Sequence, residues 1–169
     1  MLVRPAPLLV SAALALTLAA CGGSSDGGAT EKEYAAKAEV ACARSLSAGA
    51  TARASATTMR TEQTPAARRR FFDDYAEYFT VGVAALGVLA DTPAPKSYDA
   101  FRAGSKRQDD YLSPIFRSLA ARARASSGTD DIRGILASVS AAQKNLPSVP
   151  NPPAAFARLA PSCAKVAAQ

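Results

Sequence analysis

The sequence predicts an all-α protein, a single bundle of four or five helices. Alanine-rich segments with apolar residues at helical spacing are separated by proline and glycine, which is typical of helices joined by short loops. No stretch sustains the alternation of apolar and polar residues that a half-buried strand requires. Residues 30–169 are sufficient for one domain with a hydrophobic core, so we expect a single helical bundle domain there.

The first helix is predicted to begin at Thr30. Thr30 and Glu33 have the spacing of a capping box, in which each side chain bonds the backbone N–H of the other residue. Cys42 falls on the apolar face of this helix, which directs it towards the core. Glycine, serine and threonine accumulate over residues 50–58, where we expect the helix to fade.

The second helix is predicted to follow Thr64, an N-cap residue, with Pro65 at the first helical position. It should run to about Ala90, where the motif DTPAP at 91–95 ends it. Its apolar residues form two stripes rather than one. We therefore expect this helix to be central, with neighbours packed on both sides.

The third helix is predicted from about Ser97 to the Ser-Ser-Gly at 126–128, with a kink or a split at Pro114. Thr129 is expected to cap the fourth helix, which stops before Leu146-Pro147.

The last part of the chain is predicted to be a proline-rich connector followed by one more helix. SVPNPP at 148–153 is typical of a rigid spacer, and Asn151 is the expected cap of the final helix. This helix carries Cys163, and Pro161 is expected to break it.

The first twenty-one residues have the organisation of an export signal. Arg4 precedes an apolar run at 8–18, which has the length of the apolar region of a signal peptide. The run falls short of the roughly 20 apolar residues that a membrane-spanning helix needs. Leu18-Ala19-Ala20-Cys21 then resembles the lipobox of bacterial lipoproteins.

This resemblance implies a signal peptide at 1–20 and a fatty-acylated thiol at Cys21, which would become the mature N-terminus. Residues 21–29 would be a lipidated cysteine with a flexible Gly/Ser tether. The protein would be exported and anchored through membrane lipid to the outer face of the cell membrane, or to an outer membrane where the cell has one. The alternative is a plain secretory signal with an incidental cysteine.

Two cysteines remain once Cys21 carries lipid. Cys42 and Cys163 form an even pair, far apart in sequence, in a chain expected outside the cytoplasm. This pattern predicts one disulfide that joins the first and last helices. The alternative is two free, buried thiols.

The absence of histidine is the most informative feature for chemistry. The chain contains no histidine, which removes the usual general base and most zinc and haem sites. No Cys-x-x-Cys motif, phosphate-binding glycine loop or Gly-x-Ser-x-Gly elbow occurs in the sequence. We therefore expect no catalytic residues, no metal and no cofactor.

Three adjacent acidic pairs, at 73–74, 109–110 and 130–131, are the remaining candidates for chemistry. Adjacent helical residues point about 100° apart, so such a pair forms no chelate by itself and is typical of solvated surface. The alternative is a hard-cation site assembled between helices. Its members would be Asp73, Glu77 and Asp109 or Asp110. Such a site would serve a metal- or carboxylate-dependent hydrolase of the cell envelope.

Two clusters on the second helix each have two interpretations. Arg68, Arg69 and Arg70 form either a solvated charge run or a contact for anionic lipid or polymer, in keeping with a net charge of +6. The aromatic residues that follow either belong to the core or line a groove for an apolar ligand or a partner helix. These residues are Phe71, Phe72, Tyr75, Tyr78 and Phe79. We expect no nucleic-acid partner, because the exported chain contains no recognition motif.

Three short motifs, Ala41-Cys42-Ala43, Pro152-Pro153 and Ser162-Cys163-Ala164, resemble a pattern in small helical envelope lipoproteins of high-GC bacteria. The resemblance implies the same disulfide and transfers no function. The leading hypothesis is a non-enzymatic, membrane-tethered helical module that binds an envelope protein or an apolar small molecule.

Overall fold

The computed structural model describes residues 30–167, with side chains described to Val166. These residues form six α-helices and one 3₁₀ turn, and no strand occurs among them. The helices are α1 (Glu31–Glu62), α2 (Pro65–Asp91), α3 (Asp99–Ala125), α4 (Thr129–Lys144), α5 (Ala154–Leu159) and α6 (Pro161–Ala167), with the 3₁₀ turn Lys96–Tyr98 before α3. The all-α prediction is confirmed. The predicted signal peptide, Cys21 and the tether lie outside the described residues.

Helix α1 begins as predicted, with a reciprocal capping box. The Glu33 carboxylate accepts from the Thr30 backbone N–H at 2.8 Å, and the Glu33 N–H donates to Thr30 Oγ1 at 3.2 Å. These bonds from Thr30, its backbone N–H first and its hydroxyl second, lower the pKa of Glu33. The backbone N–H groups of Thr30 and Glu33, which have no carbonyl partner within the helix, are thereby hydrogen-bonded.

The predicted end of α1 within residues 50–58 is wrong, because the helix continues to Glu62. Two hydroxyl-bearing residues of this stretch bond backbone carbonyls of the preceding turn instead of ending the helix. Ser55 donates to the Ala52 carbonyl, and Thr57 donates to the Arg53 carbonyl. Ala52 and Ser55 are also buried, so packing in this stretch outweighs the low helix propensity of serine and threonine.

Helix α2 follows a sharp reversal of the chain. Gln63 ends α1 in the left-handed conformation (φ 52°), and Thr64 accepts a bond from the Ala67 N–H at 3.1 Å. Because only two residues separate α1 from α2, the two helices run antiparallel. Helix α2 packs along both α1 and α3, which confirms its predicted central position.

Helix α3 continues through Pro114 as one element, so the split considered for this position does not occur. The Pro114 ring is exposed. The neighbouring Ser113 is buried and donates its hydroxyl to the Asp109 carboxylate one turn earlier. The helix is therefore continuous across Pro114 although this residue supplies no backbone N–H.

Two predicted caps are wrong. Gly128, not Thr129, is the N-cap of α4, and its N–H donates to the Asp131 carboxylate at 3.3 Å. Pro153, not Asn151, precedes α5, because the two consecutive prolines delay the helix until Ala154. The predicted break at Pro161 is confirmed, since it separates α5 from α6.

The connector between α4 and α5 lies against α3 at Gly104. A Cβ built on Gly104 would lie 2.6 Å from Pro150 Cδ and 3.1 Å from the Val149 Cα, too close for any other residue. Gln108 also donates to the Pro147 carbonyl at 3.2 Å. The absent side chain of Gly104 therefore permits the chain to return along α3 to α1.

The buried side chains form two clusters, one near the start of α1 and one near its end. We call the first the proximal core; its largest members are Tyr34, Tyr98, Phe101 and Phe156. We call the second the distal core; its largest members are Phe71, Phe72, Phe79, Leu119 and Ile135. Short helices α5 and α6 cover the proximal core, and α4 covers the distal core.

The disulfide between Cys42 and Cys163 joins α1 to α6 across 121 residues, with a Cα–Cα distance of 5.0 Å. This confirms the predicted bond. One turn before Cys42, Glu39 accepts from the Ser162 N–H at 2.8 Å and from its hydroxyl at 2.6 Å. The beginning of α6 is thus bound to α1 by one covalent bond and two hydrogen bonds.

Candidate functional site

An open groove runs between α1 and α2 on a side of the bundle that the other described helices do not fill. It consists of two adjoining depressions of about 480 and 440 Å³, which share Arg44 and Val81. The half nearer the start of α1 is lined by Ala36, Lys37, Val40, Ala41, Ala84, Ala85 and Val88. The half nearer the end of α1 is lined by Ser47, Ala48, Thr51, Asp74 and Glu77.

The half nearer the start of α1 is apolar. Its floor consists mostly of alanine and valine, and Val40 is 54% exposed, the highest value among the large apolar residues of the described chain. Alanine side chains leave the two backbones accessible to a closely packed partner, as small residues do at helix–helix contacts. This half of the groove is therefore an exposed apolar strip with Lys37 and Arg44 at its edge.

The ionic residues of the groove are divided by helix. Lys37 and Arg44 line it from α1, whereas Asp74 and Glu77 line it from α2. Within residues 30–167, Arg44, Asp74 and Glu77 have no salt bridge. One wall is therefore cationic and the other acidic, and three of the four charges are available to a partner.

None of the five predicted aromatic residues lines the groove. Phe71, Phe72 and Phe79 are completely buried in the distal core. Tyr75 and Tyr78 are half-buried, and burial raises the pKa of Tyr75. Only the two tyrosines have exposed surface, so ligand binding by this cluster stays a prediction that rests on them.

The three predicted arginines lie at the far end of the bundle. Arg69 pairs with Asp73 one turn later, at 3.0 Å, and both side chains are more than half exposed. Arg68 is half-buried and Arg70 is exposed. At about 1.5 Å per residue, the first turns of α2 lie roughly 40 Å from Thr30 along the bundle. Their contact with an anion stays a prediction.

The acidic residues of the alternative cation site are not brought together. Asp73 pairs with Arg69, whereas Asp109 and Asp110 both pair with Lys106 on α3. The hydrogen bond from Lys106 to Asp110 raises the pKa of the lysine. Glu77 instead lines the α1–α2 groove. Among the described residues, no three acidic or cysteine side chains are grouped closely enough to hold a metal ion.

Two buried tyrosines are the most perturbed titratable groups of the described chain. Tyr34 donates to the Leu89 carbonyl at 2.8 Å, and Tyr98 donates to the Glu31 carboxylate at 2.6 Å. Burial raises the pKa of Tyr34 to about 12, against a weaker opposing effect of Arg102. Burial, the bond to Glu31 and its charge together raise the pKa of Tyr98 further. Both hydroxyls hold helices together and stay protonated at neutral pH.

The residues that line the groove have helical spacing in the sequence, which is the signal that could have identified them. They do not form an apolar stripe. On α1 the spacing is three, four and seven residues, through Lys37, Val40, Arg44 and Thr51. On α2 it is three and four residues, through Asp74, Glu77 and Val81. Each row mixes charged and apolar residues. For this reason the rows do not form the apolar stripes by which a core face is recognised.

Comparisons of the chain with protein-family profiles, with curated proteins and with solved structures give no match. Within residues 30–167, no helix combines the length and the apolar character needed to cross a membrane.

Proposed function

We propose that this protein is a lipid-anchored, non-enzymatic helical interaction module at the outer face of the cell membrane. The acyl group on Cys21 holds the module at the membrane, and the α1–α2 groove is the surface through which it binds a partner. The observation that carries the binding role is the groove itself, with its exposed Val40 and its unpaired Arg44 and Glu77.

The position of the groove suits a membrane-tethered binder. Helix α1 starts directly after the tether, and the apolar half of the groove spans Ala36 to Arg44. At about 1.5 Å per residue, this half begins roughly 9 Å and ends roughly 21 Å from Thr30. A partner bound there is held close to the bilayer in which the lipid is inserted.

The hydrolase is the weaker hypothesis. It requires two carboxylates that converge on one substrate, about 5–9.5 Å apart in a glycosidase. In this fold Asp73, Asp109 and Asp110 are each paired with a cation of their own helix. This arrangement favours a role for these acids in surface ion pairs.

Arg68–Arg70 supply a second contact in this proposal. They lie at the end of the bundle opposite the tether, about 40 Å along α1 and α2 by helix rise. We therefore favour an acidic polymer of the envelope over the anchoring bilayer as the anion that they contact.

The binding role is tested by photocrosslinking in cells. A photoreactive amino acid at Ala84, which is exposed in the groove, should yield a crosslinked product. The same amino acid at Ser118, which is exposed on α3 outside the groove, is the matched control and should yield none. Equal crosslinking at both positions, or none at either, would contradict the proposal.

A further inference from the structure

We infer that the occupant of the α1–α2 groove is a second copy of this chain, bound so that α1 of each copy packs against α2 of the other. The inference deepens the proposed function, because it names the partner of the same groove, and its orientation rests on the proposed lipid anchor. Its main support is that basic residues line the groove from α1 whereas acidic residues line it from α2.

The two walls are complementary to each other. Helix α1 contributes Lys37 and Arg44 to the groove, and α2 contributes Asp74 and Glu77. A partner that fits both walls must therefore present an acidic helix to α1 and a basic helix to α2. The α1–α2 pair of a second copy presents both at the level where Arg44 and Glu77 line the same part of the groove.

The heights of these residues fit such a pairing. Arg44, Glu77 and Val81 line the same depression, which extends over about two helical turns, from Arg44 to Thr51 on α1. A two-fold axis parallel to the helices brings α1 of one copy opposite α2 of the other at the same height. Arg44 then faces Glu77 of the second copy, and the exposed Val40 faces the apolar strip at Ala84 and Val88.

The opposite orientation is disfavoured on two grounds, one from the lining of the groove and one from the proposed anchor. A two-fold axis perpendicular to the helices would place the apolar half of one groove against Asp74 and Glu77 of the other copy, which costs desolvation of charge without an apolar gain. It would also place the two tethers at opposite ends of the pair. The parallel axis keeps both tethers at the same end, as two anchors in one membrane require.

The test is a charge exchange between two copies of the full-length, lipidated protein, extracted in mild detergent and weighed by native mass spectrometry. The wild type should be dimeric. R44E and E77R should each be monomeric, because each variant places like charges across both contacts of the pair. We expect at least about a 100-fold loss of dimer affinity for each.

Co-expression of R44E with E77R should restore a dimer that contains one copy of each variant. In that pair one contact joins the native Arg44 of one copy to the native Glu77 of the other, and the second contact joins the two substituted residues. Opposite charges therefore meet at both contacts. The rescue also shows that the two variants fold. R117E, an equal charge change on α3 outside the groove, is the control and should remain dimeric. V40E should be monomeric, whereas L136E, at another exposed apolar residue, should stay dimeric.

A monomeric wild type, a dimeric R44E, or a mixture of R44E and E77R that forms no mixed dimer would each overturn the inference. Fatty acylation of Cys21 is read from the same spectra. A monomeric wild type that carries lipid would remove the self-pairing and leave the anchor intact. A crosslink from Ala84 to a different protein would likewise overturn the self-pairing while preserving the binding role of the groove.

Discussion

The proximal and distal halves of the bundle are stabilised by different kinds of contact. The proximal half is joined by specific ties between distant residues: the disulfide, the Glu39–Ser162 bonds and the Tyr98–Glu31 bond. The distal half depends on apolar packing of residues such as Phe79 and Ile135. The difference follows from the helices that cover each half.

Helices α5 and α6 have only six and seven residues, whereas α4 has sixteen. Isolated helices shorter than about 12–15 residues are marginal in water. A covalent bond and two hydrogen bonds therefore hold α6 in place. Helix α5, which directly precedes α6, packs through Phe156, while the apolar face of α4 is sufficient for the distal half. Both halves leave the α1–α2 groove uncovered.

Removal of the disulfide should give the largest loss of stability. In the chain-entropy description, a bond that closes 121 residues contributes about 4–5 kcal/mol. Cys42→Ala combined with Cys163→Ala should lower the free energy of unfolding in urea, followed by far-UV circular dichroism, by this amount. Limited proteolysis should then cut first near α5 and α6. A loss below about 1 kcal/mol would show that the bond adds little to the other ties.

Truncation in the distal core should have the next largest effect. Ile135 is fully buried, so Ile135→Ala should lower the free energy of unfolding by about 3 kcal/mol. The neighbouring Leu136 is 45% exposed, and Leu136→Ala should cost less than about 1 kcal/mol. Equal losses for the two variants in urea unfolding would contradict the packing described for α4.

Alkaline pH should weaken the proximal half. The pKa of Tyr34 is raised from 10.0 to about 12, so the folded chain holds this proton more tightly than the unfolded chain. The resulting stabilisation is complete below pH 10 and is lost as the pH rises from 10 to 12, by about 2 kcal/mol in all. Tyr98 changes stability in the same direction.

The measurement is the free energy of unfolding at a series of pH values for the wild type and for Tyr34→Phe. The phenylalanine variant should be less stable at neutral pH, because the bond to the Leu89 carbonyl is lost. It should decline less steeply above pH 10. The same alkaline decline in both proteins would assign the pH dependence to other groups.

Loss of the two hydrogen bonds between Glu39 and Ser162 should give the smallest of these effects. Glu39 is half-buried, and Glu39→Ala removes both bonds to Ser162 at a cost of about 1.5 kcal/mol. Ser162→Ala removes only the hydroxyl bond and should cost roughly half as much. A larger loss of stability for Ser162→Ala than for Glu39→Ala, in thermal or urea unfolding, would contradict the geometry of these two bonds.

Much of the fold could be predicted because its signals are local. The capping residues Thr30 and Thr64 and the prolines Pro65 and Pro161 act within one helical turn of themselves, and each marks a boundary that the structure contains. The disulfide could be predicted because two cysteines allow only one pairing once Cys21 is assigned to lipid.

The error at the end of α1 occurred where tertiary packing decides. The Ser- and Thr-rich stretch at 50–58 stays helical because packing buries Ala52 and Ser55, which no local pattern indicates. The Glu39–Ser162 bonds join residues 123 apart, and the groove needs the register of α1 against α2. Neither can be read from one segment alone.

The central claim is that the module works at a membrane through lipid on Cys21, and metabolic labelling with a fatty acid tests it most directly. The wild type and the Cys42→Ala, Cys163→Ala double variant should both incorporate the label, because both retain Cys21. Cys21→Ala should incorporate none. Label on Cys21→Ala equal to that on the wild type would contradict the account.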